Sequence, residues 1–308
     1  VDLSPRWVIF PRKQKLEEAS MCELDQVNEM GAVSRRRFGT LGAVAGLGAA
    51  FAPWATACAQ GAAGLTEADV KFDAPGGTMD AFFVHPAEGK HPAVILWPDI
   101  AGLREVKKVM ARRLASSGYA VLVANPFYRS APAPQFKDFE DWRANGGMAK
   151  VTPWMQQNTH ENVTETAKAV VAWLDQQAAV DTARGIGNQG YCMGGPFTVR
   201  TAAAVPTRVK AAASFHGGGL VGDDPNAPIN LLPKTQASFL IAIAKNDDAR
   251  APTDKDKLKE AAAAAARPAE IEVYQADHGW TVADSPVYNE AEAERAWTRL
   301  LALYQGAL

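Results

Sequence analysis

The sequence predicts an α/β fold: a doubly wound, mostly parallel sheet with helices on both faces. Three observations carry that expectation. Four largely apolar runs, Ala93–Trp97, Tyr119–Ala124, Val209–Phe215 and Phe239–Ala244, read as strands, and the first, unbroken by any polar residue, has the composition of one buried on both faces. Segments of helical length and pattern lie between them, in the strand-helix-strand rhythm of right-handed crossovers. The side chains capable of chemistry follow the carboxyl ends of these runs, where such sheets bind ligands.

The order begins with an extension. Residues 1–33 show no hydrophobic period, and no fold is built on them. Ser34-Arg35-Arg36-Arg37-Phe38 then precedes the glycine- and alanine-rich run Gly39–Ala52. A basic cluster ahead of a moderately apolar run reads as an export signal, and the Ser-Arg-Arg-x-Phe order resembles the bacterial twin-arginine motif. The resemblance implies the twin-arginine export machinery as a partner and a periplasmic or exported destination. The run falls short of the ~20 strongly apolar residues of a membrane span. Ala55-Thr56-Ala57 and Ala57-Cys58-Ala59 supply small-x-small cleavage sites, so residues 1–59 are assigned to the extension and signal. A lipid anchor on Cys58 is the alternative, with Ala55 a poor match to the leucine of such sites. Cleavage after Ala59 would remove Cys22 and Cys58 and leave Cys192 as the one thiol, unable to form an internal disulfide.

The catalytic-size domain is placed at residues 65–305. Val70–Phe72 and Met79–Val84, split by Pro75-Gly76-Gly77, read as an antiparallel hairpin. Ala93–Trp97 leads into the loop Pro98–Arg104 and an amphipathic helix running to about Ser117. Tyr119–Ala124 ends in Asn125-Pro126-Phe127-Tyr128-Arg129. Residues 130–158, proline-rich and then aromatic with Trp142 and Trp154, read as an insertion over the carboxyl edge of the sheet that shapes a pocket. Glu161–Gln177 is a helix with its apolar stripe at Val163, Ala167, Val170, Val171 and Leu174. After the elbow described next come strands Val209–Phe215, Phe239–Ala244 and Ile271–Tyr274. The alanine-rich helix Lys257–Ala266 and the closing helix Asn289–Tyr304 complete the chain.

Gly190-Tyr191-Cys192-Met193-Gly194-Gly195 has the nucleophile-elbow pattern of α/β-hydrolases, with cysteine in the place of serine. A sharp strand-to-helix turn requires small residues two places before and after the nucleophile, and both are glycine. The N–H groups at the start of the following helix favour a thiolate and an oxyanion. Gly185-Ile186-Gly187-Asn188-Gln189-Gly190 also spells G-x-G-x-x-G, but the strand before it and the acidic residue ~20 positions beyond it that a dinucleotide site needs are missing. Near-neutral charge without a basic block excludes nucleic acid as a partner. Sparse cysteines and scattered histidines point to no metal, and no cofactor is implied.

An acid at Asp247 or Asp248 and a histidine at His278 follow Cys192 in the α/β-hydrolase order. His216 precedes the acid and is a pocket candidate, together with Tyr128, Arg143 and Trp280. The elbow motif, the segment Asp248–Pro252, His278-Gly279-Trp280 and Phe215-His216-Gly217-Gly218 together resemble the dienelactone hydrolase family from about Leu65 to Tyr304. The resemblance favours Asp248 as the acid, from its spacing to Pro252. It also implies that Asp99, where the family usually has glutamate, contacts the resting cysteine, unless it only caps the following helix. It puts the oxyanion on the N–H groups of Met193 and Ile100. Family members opening dienelactones grip the substrate carboxylate with arginines; one such position is Val282 here, and Arg143 is the candidate for another. The implied activity is hydrolysis of a lactone or activated ester through a thioester on Cys192. The alternatives are an exported thiol esterase for larger neutral esters and a ligand-binding protein that has lost turnover.

Overall fold

The computed structural model describes residues 64–308. The arginine motif, both cleavage motifs, Cys22 and Cys58 lie outside the described residues. Strands β1 (Leu65–Ala74) and β2 (Gly77–Pro86) form the expected hairpin, longer than the apolar pattern suggests. Gly76, at a φ of 89°, makes the turn between them. Strands β3 (Ala93–Trp97), β4 (Ala120–Ala124), β5 (Ile186–Tyr191), β6 (Val209–Phe215), β7 (Ser238–Ala244) and β8 (Ala269–Tyr274) complete one eight-stranded sheet. Its order is β1-β2-β4-β3-β5-β6-β7-β8, with β1 and β2 antiparallel and every pair from β4 onward parallel.

Helix α1 (Glu105–Ala115) crosses from β3 to β4. The insertion carries two short helices, α2 (Phe139–Ala144) and α3 (Gly147–Met155). Next come α4 (His160–Leu174), α5 (Gly195–Ala204), the single turn α6 (Pro228–Leu231), α7 (Lys245–Arg250), α8 (Asp254–Ala264) and α9 (Glu290–Ala307). Thr159 and Asn289 cap α4 and α9 by accepting the N–H of Asn162 and Glu292. Period-2 alternation sorts the strands onto two faces. Val94, Leu96, Val121, Val123, Ala213, Phe215, Leu240 and Ala242 pack with Leu114 of α1 and with Ala296, Leu300 and Tyr304 of α9. Ile241 and Ile271 face the other way, onto Leu258 of α8, and α4 and α5 pack on each other.

Strand β5 is polar for a central strand, yet all of it is buried. Asn188 donates to the Ala211 carbonyl, and Gln189 is shared between the Tyr191 and Tyr304 hydroxyls. The G-x-G-x-x-G run therefore lies along a buried strand rather than in a phosphate loop. A Cβ on Gly187 would sit 2.8 Å from the Tyr304 ring.

Candidate active site

The elbow is built by the absence of side chains. After β5 the chain makes a 3-10 turn over Cys192–Gly194 and enters α5. A Cβ on Gly190 would lie 2.0 Å from the Gly194 carbonyl oxygen. One on Gly194 would lie 2.5 and 2.6 Å from the carbonyl oxygens of Trp97 and Pro98. Backbone cannot yield as a flexible side chain can, so both positions are restricted to glycine. The same contacts put the elbow directly on the loop after β3. Cys192 takes φ 52°, a left-handed conformation uncommon and costly for a residue with a Cβ. Its thiol is half-buried.

His278 stands in the loop after β8, buried, with its backbone N–H held by the Asn246 side chain at 2.9 Å. Its Nδ1 lies 2.7 Å from Oδ2 of Asp247. Nε2 is buried without a well-aligned hydrogen bond among the described residues, and interacts with Cys192. Burial alone would lower the imidazole pKa. The negative charge of a Cys192 thiolate and the bond to Asp247 outweigh burial and hold the pKa up at about 10. An Asp–His–Cys chain of this kind can support a thiolate-imidazolium pair.

The acid differs from the one favoured by spacing. Lys245–Arg250, which follows β7, is the helical turn α7, in which consecutive side chains point ~100° apart. Asp247 consequently faces His278, while Asp248 turns away to Nζ of Lys255 at 2.7 Å.

Asp99 also differs. Its carboxylate receives both terminal nitrogens of Arg104, at 2.7 and 3.1 Å, and the Ala101 N–H at 3.0 Å. Lys107 Nζ pairs with it at 2.8 Å, without hydrogen-bond alignment, and lies 4.4 Å over the Tyr191 ring. None of these contacts is with Cys192. Burial raises the Asp99 pKa, but the charges of Arg104 and Lys107 overcome it and hold the carboxyl well below the usual range. Arg104 reaches across with its other edge to Asp284, at 2.7 and 2.8 Å. The anchoring of the loop after β3 to the histidine loop was not foreseen. Arg104 alone in the sequence carries no sign of a partner 180 residues away.

The remaining candidates separate. Met193 and Ile100 are buried on adjoining loops. Tyr128 is buried, with its hydroxyl on the Pro75 carbonyl at 2.6 Å, and lines a small cavity with Trp97, Phe197 and Asn158. Asn158, from the end of the insertion, reaches Sδ of Met193 at 3.9 Å. Arg143 is exposed on α2. Trp280 is fully buried, stacked on Tyr274, so it belongs to the core rather than to a pocket wall. Val282 joins the same core. His216 is buried beside His278, their ring centroids 4.8 Å apart. Thr281, unremarked in the sequence, bonds to His216 at 3.0 Å.

Residues 79–308 match the Dienelactone hydrolase family. A Methylorubrum extorquens protein with a provisional carboxymethylenebutenolidase name is 29% identical over 251 residues, covering 80% of this chain and 82% of its own. The carboxymethylenebutenolidase of Rhodococcus opacus is 25% identical over 241 residues, covering 74% and 87%. The crystal structure of a Klebsiella pneumoniae protein, provisionally named a dienelactone hydrolase, superposes with a TM-score of 0.66 at 25% identity. It covers 78% of this chain and 98% of that one. The chain belongs to the dienelactone hydrolase family, a family of ester-hydrolysing enzymes.

Proposed function

We propose that the protein hydrolyses a lactone or activated ester through a thioester on Cys192. The observation that carries this reading is the Asp247–His278 bond of 2.7 Å, with the other imidazole nitrogen directed to a cysteine on a strained elbow. The Cys192 thiolate attacks the carbonyl carbon, and the N–H groups of Met193 and Ile100 receive the oxyanion, at roughly 3 kcal/mol per donor. As the C–O bond breaks, the His278 imidazolium gives its proton to the leaving oxygen. In a lactone that oxygen stays on the acyl product. Neutral His278 then takes a proton from water, hydroxide adds to the thioester, and the thiolate leaves with the acid product released. Asp247 stabilises the imidazolium in each half.

A second reading, that the substrate is a neutral ester, has its own support. At the place of one family arginine stands Val282, 2% exposed in the core, and Arg143 is exposed on α2. Export through the twin-arginine route is also proposed, on the strength of Ser34–Phe38. Arg35→Lys with Arg36→Lys should retain the protein in the cytoplasm, and unchanged fractionation would refute that route.

The test of the acyl-transfer reading is a stopped-flow burst with p-nitrophenyl acetate. The burst should equal the enzyme concentration and leave an acetyl group on Cys192. It should vanish in Cys192→Ser and His278→Ala. Full turnover in Cys192→Ala would overturn the reading.

A further inference from the structure

His216 is bonded on both ring nitrogens yet takes part in no step above. It follows β6 as Cys192 follows β5, and the preceding residues Tyr191 and Phe215 are register partners. Both residues are in left-handed backbone, Cys192 at φ 52° and His216 at φ 41°. Ala266 is the third such non-glycine residue among those described. The two strained residues are joined, since Cys192 N–H donates to His216 Nδ1 at 3.1 Å. A nitrogen that accepts a hydrogen bond carries no proton, so the ring proton is on Nε2, where it donates to Oγ1 of Thr281 at 3.0 Å. Thr281 belongs to the loop that carries His278. One imidazole thus spans the backbone of Cys192 and the histidine's loop, with its ring tilted against His278 and edge-to-face with Trp280, at centroid distances of 4.8 and 5.1 Å.

We propose that His216, anchored by Thr281, is a positioning residue that locks Cys192 in its strained conformation and holds the thiol within reach of His278. The proposal rests on the acyl-transfer reading of Cys192. Only an uncharged acceptor suits the place: a cation would repel the His278 imidazolium, and a carboxylate would compete with the thiolate for it. Burial keeps the His216 ring neutral, helped by the cationic forms of His278 and, on α1, Lys107; Asp99 opposes them and is outweighed. Loss of the clamp lets the elbow relax, separates the sulfur from the imidazolium and reduces the thiolate at neutral pH.

The experiment follows iodoacetamide alkylation of Cys192 against pH, with urea unfolding as the control for stability. His216→Leu, lacking an acceptor, should slow alkylation at pH 6 about tenfold and move the curve to higher pH by about one unit, the worth of one lost hydrogen bond. His216→Asn, with an amide oxygen near the place of Nδ1, should come back to within about threefold of wild type. Thr281→Val, which frees the ring to change tautomer, should fall between. A folded His216→Leu with the wild-type pH curve, weaker only in urea, would overturn the proposal. Where His216→Leu does not fold, a Thr281→Val curve identical to wild type would do so. If wild-type Cys192 gives no burst and no enhanced alkylation, the acyl-transfer reading falls and this proposal with it. If wild type passes and the variants match it, the proposal alone falls.

Discussion

Replacing Asp247 by Asn keeps the shape of the side chain and removes the charge that faces His278. The bond is 2.7 Å long, between side chains 15% and 6% exposed, so it lies in the range of charge-assisted bonds little screened by water. Such a bond contributes about 1.5–3 kcal/mol, so kcat/KM should fall roughly 10- to 150-fold. The charge also helps hold the imidazole up at about 10. Without it the imidazolium gives up its proton sooner, and the alkaline limb of the pH-rate profile should move down by ~1–2 units. Asp248→Asn removes a half-exposed pair with Lys255 and should cost ~0–1 kcal/mol of stability, with kcat/KM within about twofold of wild type. Both variants are to be assayed on one activated ester from pH 5 to 11. A crippled Asp248→Asn beside a near-normal Asp247→Asn would refute the assignment.

Gly194→Ala should abolish the burst and destabilise the fold by ~1–3 kcal/mol or more in urea, because its Cβ meets the carbonyl oxygens of Trp97 and Pro98. Arg104→Met leaves the buried carboxylate of Asp99 with Lys107 and the Ala101 N–H alone, takes the guanidinium away from Asp284, and should lower unfolding free energy by about 3 kcal/mol. Lys168→Ala, which breaks an exposed pair with Glu165, should stay within ~0.5 kcal/mol in the same assay. His278 is raised in the folded protein from 6.5 to about 10, so its contribution to stability is complete below 6.5 and is lost as pH rises to about 10. Urea midpoints should decline across that window, and more steeply in wild type than in His278→Gln.

The sheet was legible because burial on both faces leaves a plain mark: Ala93–Trp97 and Phe239–Ala244 are strands within a residue of their apolar runs, and Val209–Phe215 is a strand over the bounds expected of it. The helix stripe from Val163 to Leu174 is buried as its period requires. Strand β5 reads less clearly, since Asn188 and Gln189 suit a central strand only with Ala211, Tyr191 and Tyr304 in place to satisfy them. The G-x-G-x-x-G letters were a coincidence of two other needs. Gly187 makes room for the Tyr304 ring, and Gly190 for the turn. The helical turn α7 leaves no mark in the sequence, because its six residues are too few to show a period.

The site divides along the same line. Cys192 could be placed by the glycine frame of its elbow, and His278 because it follows the last strand with Gly279 behind it. Choosing between Asp247 and Asp248 required the rotation of one helical turn, which residue spacing does not contain. The position of Asp99 was visible but its partner was not, for a carboxylate answers to the nearest cation rather than to its place in a motif. With Arg104 and Lys107 beside it, Asp99 is an anchor for the loop that carries Ile100. Arg104 then ties that loop to Asp284, and His216 ties the elbow to Thr281, so both clamps end on the loop after His278. Two attachments fix a loop against rotation where one would leave a hinge. That accounts for a short, otherwise irregular segment presenting His278 to Cys192, which follows a strand not adjacent to its own.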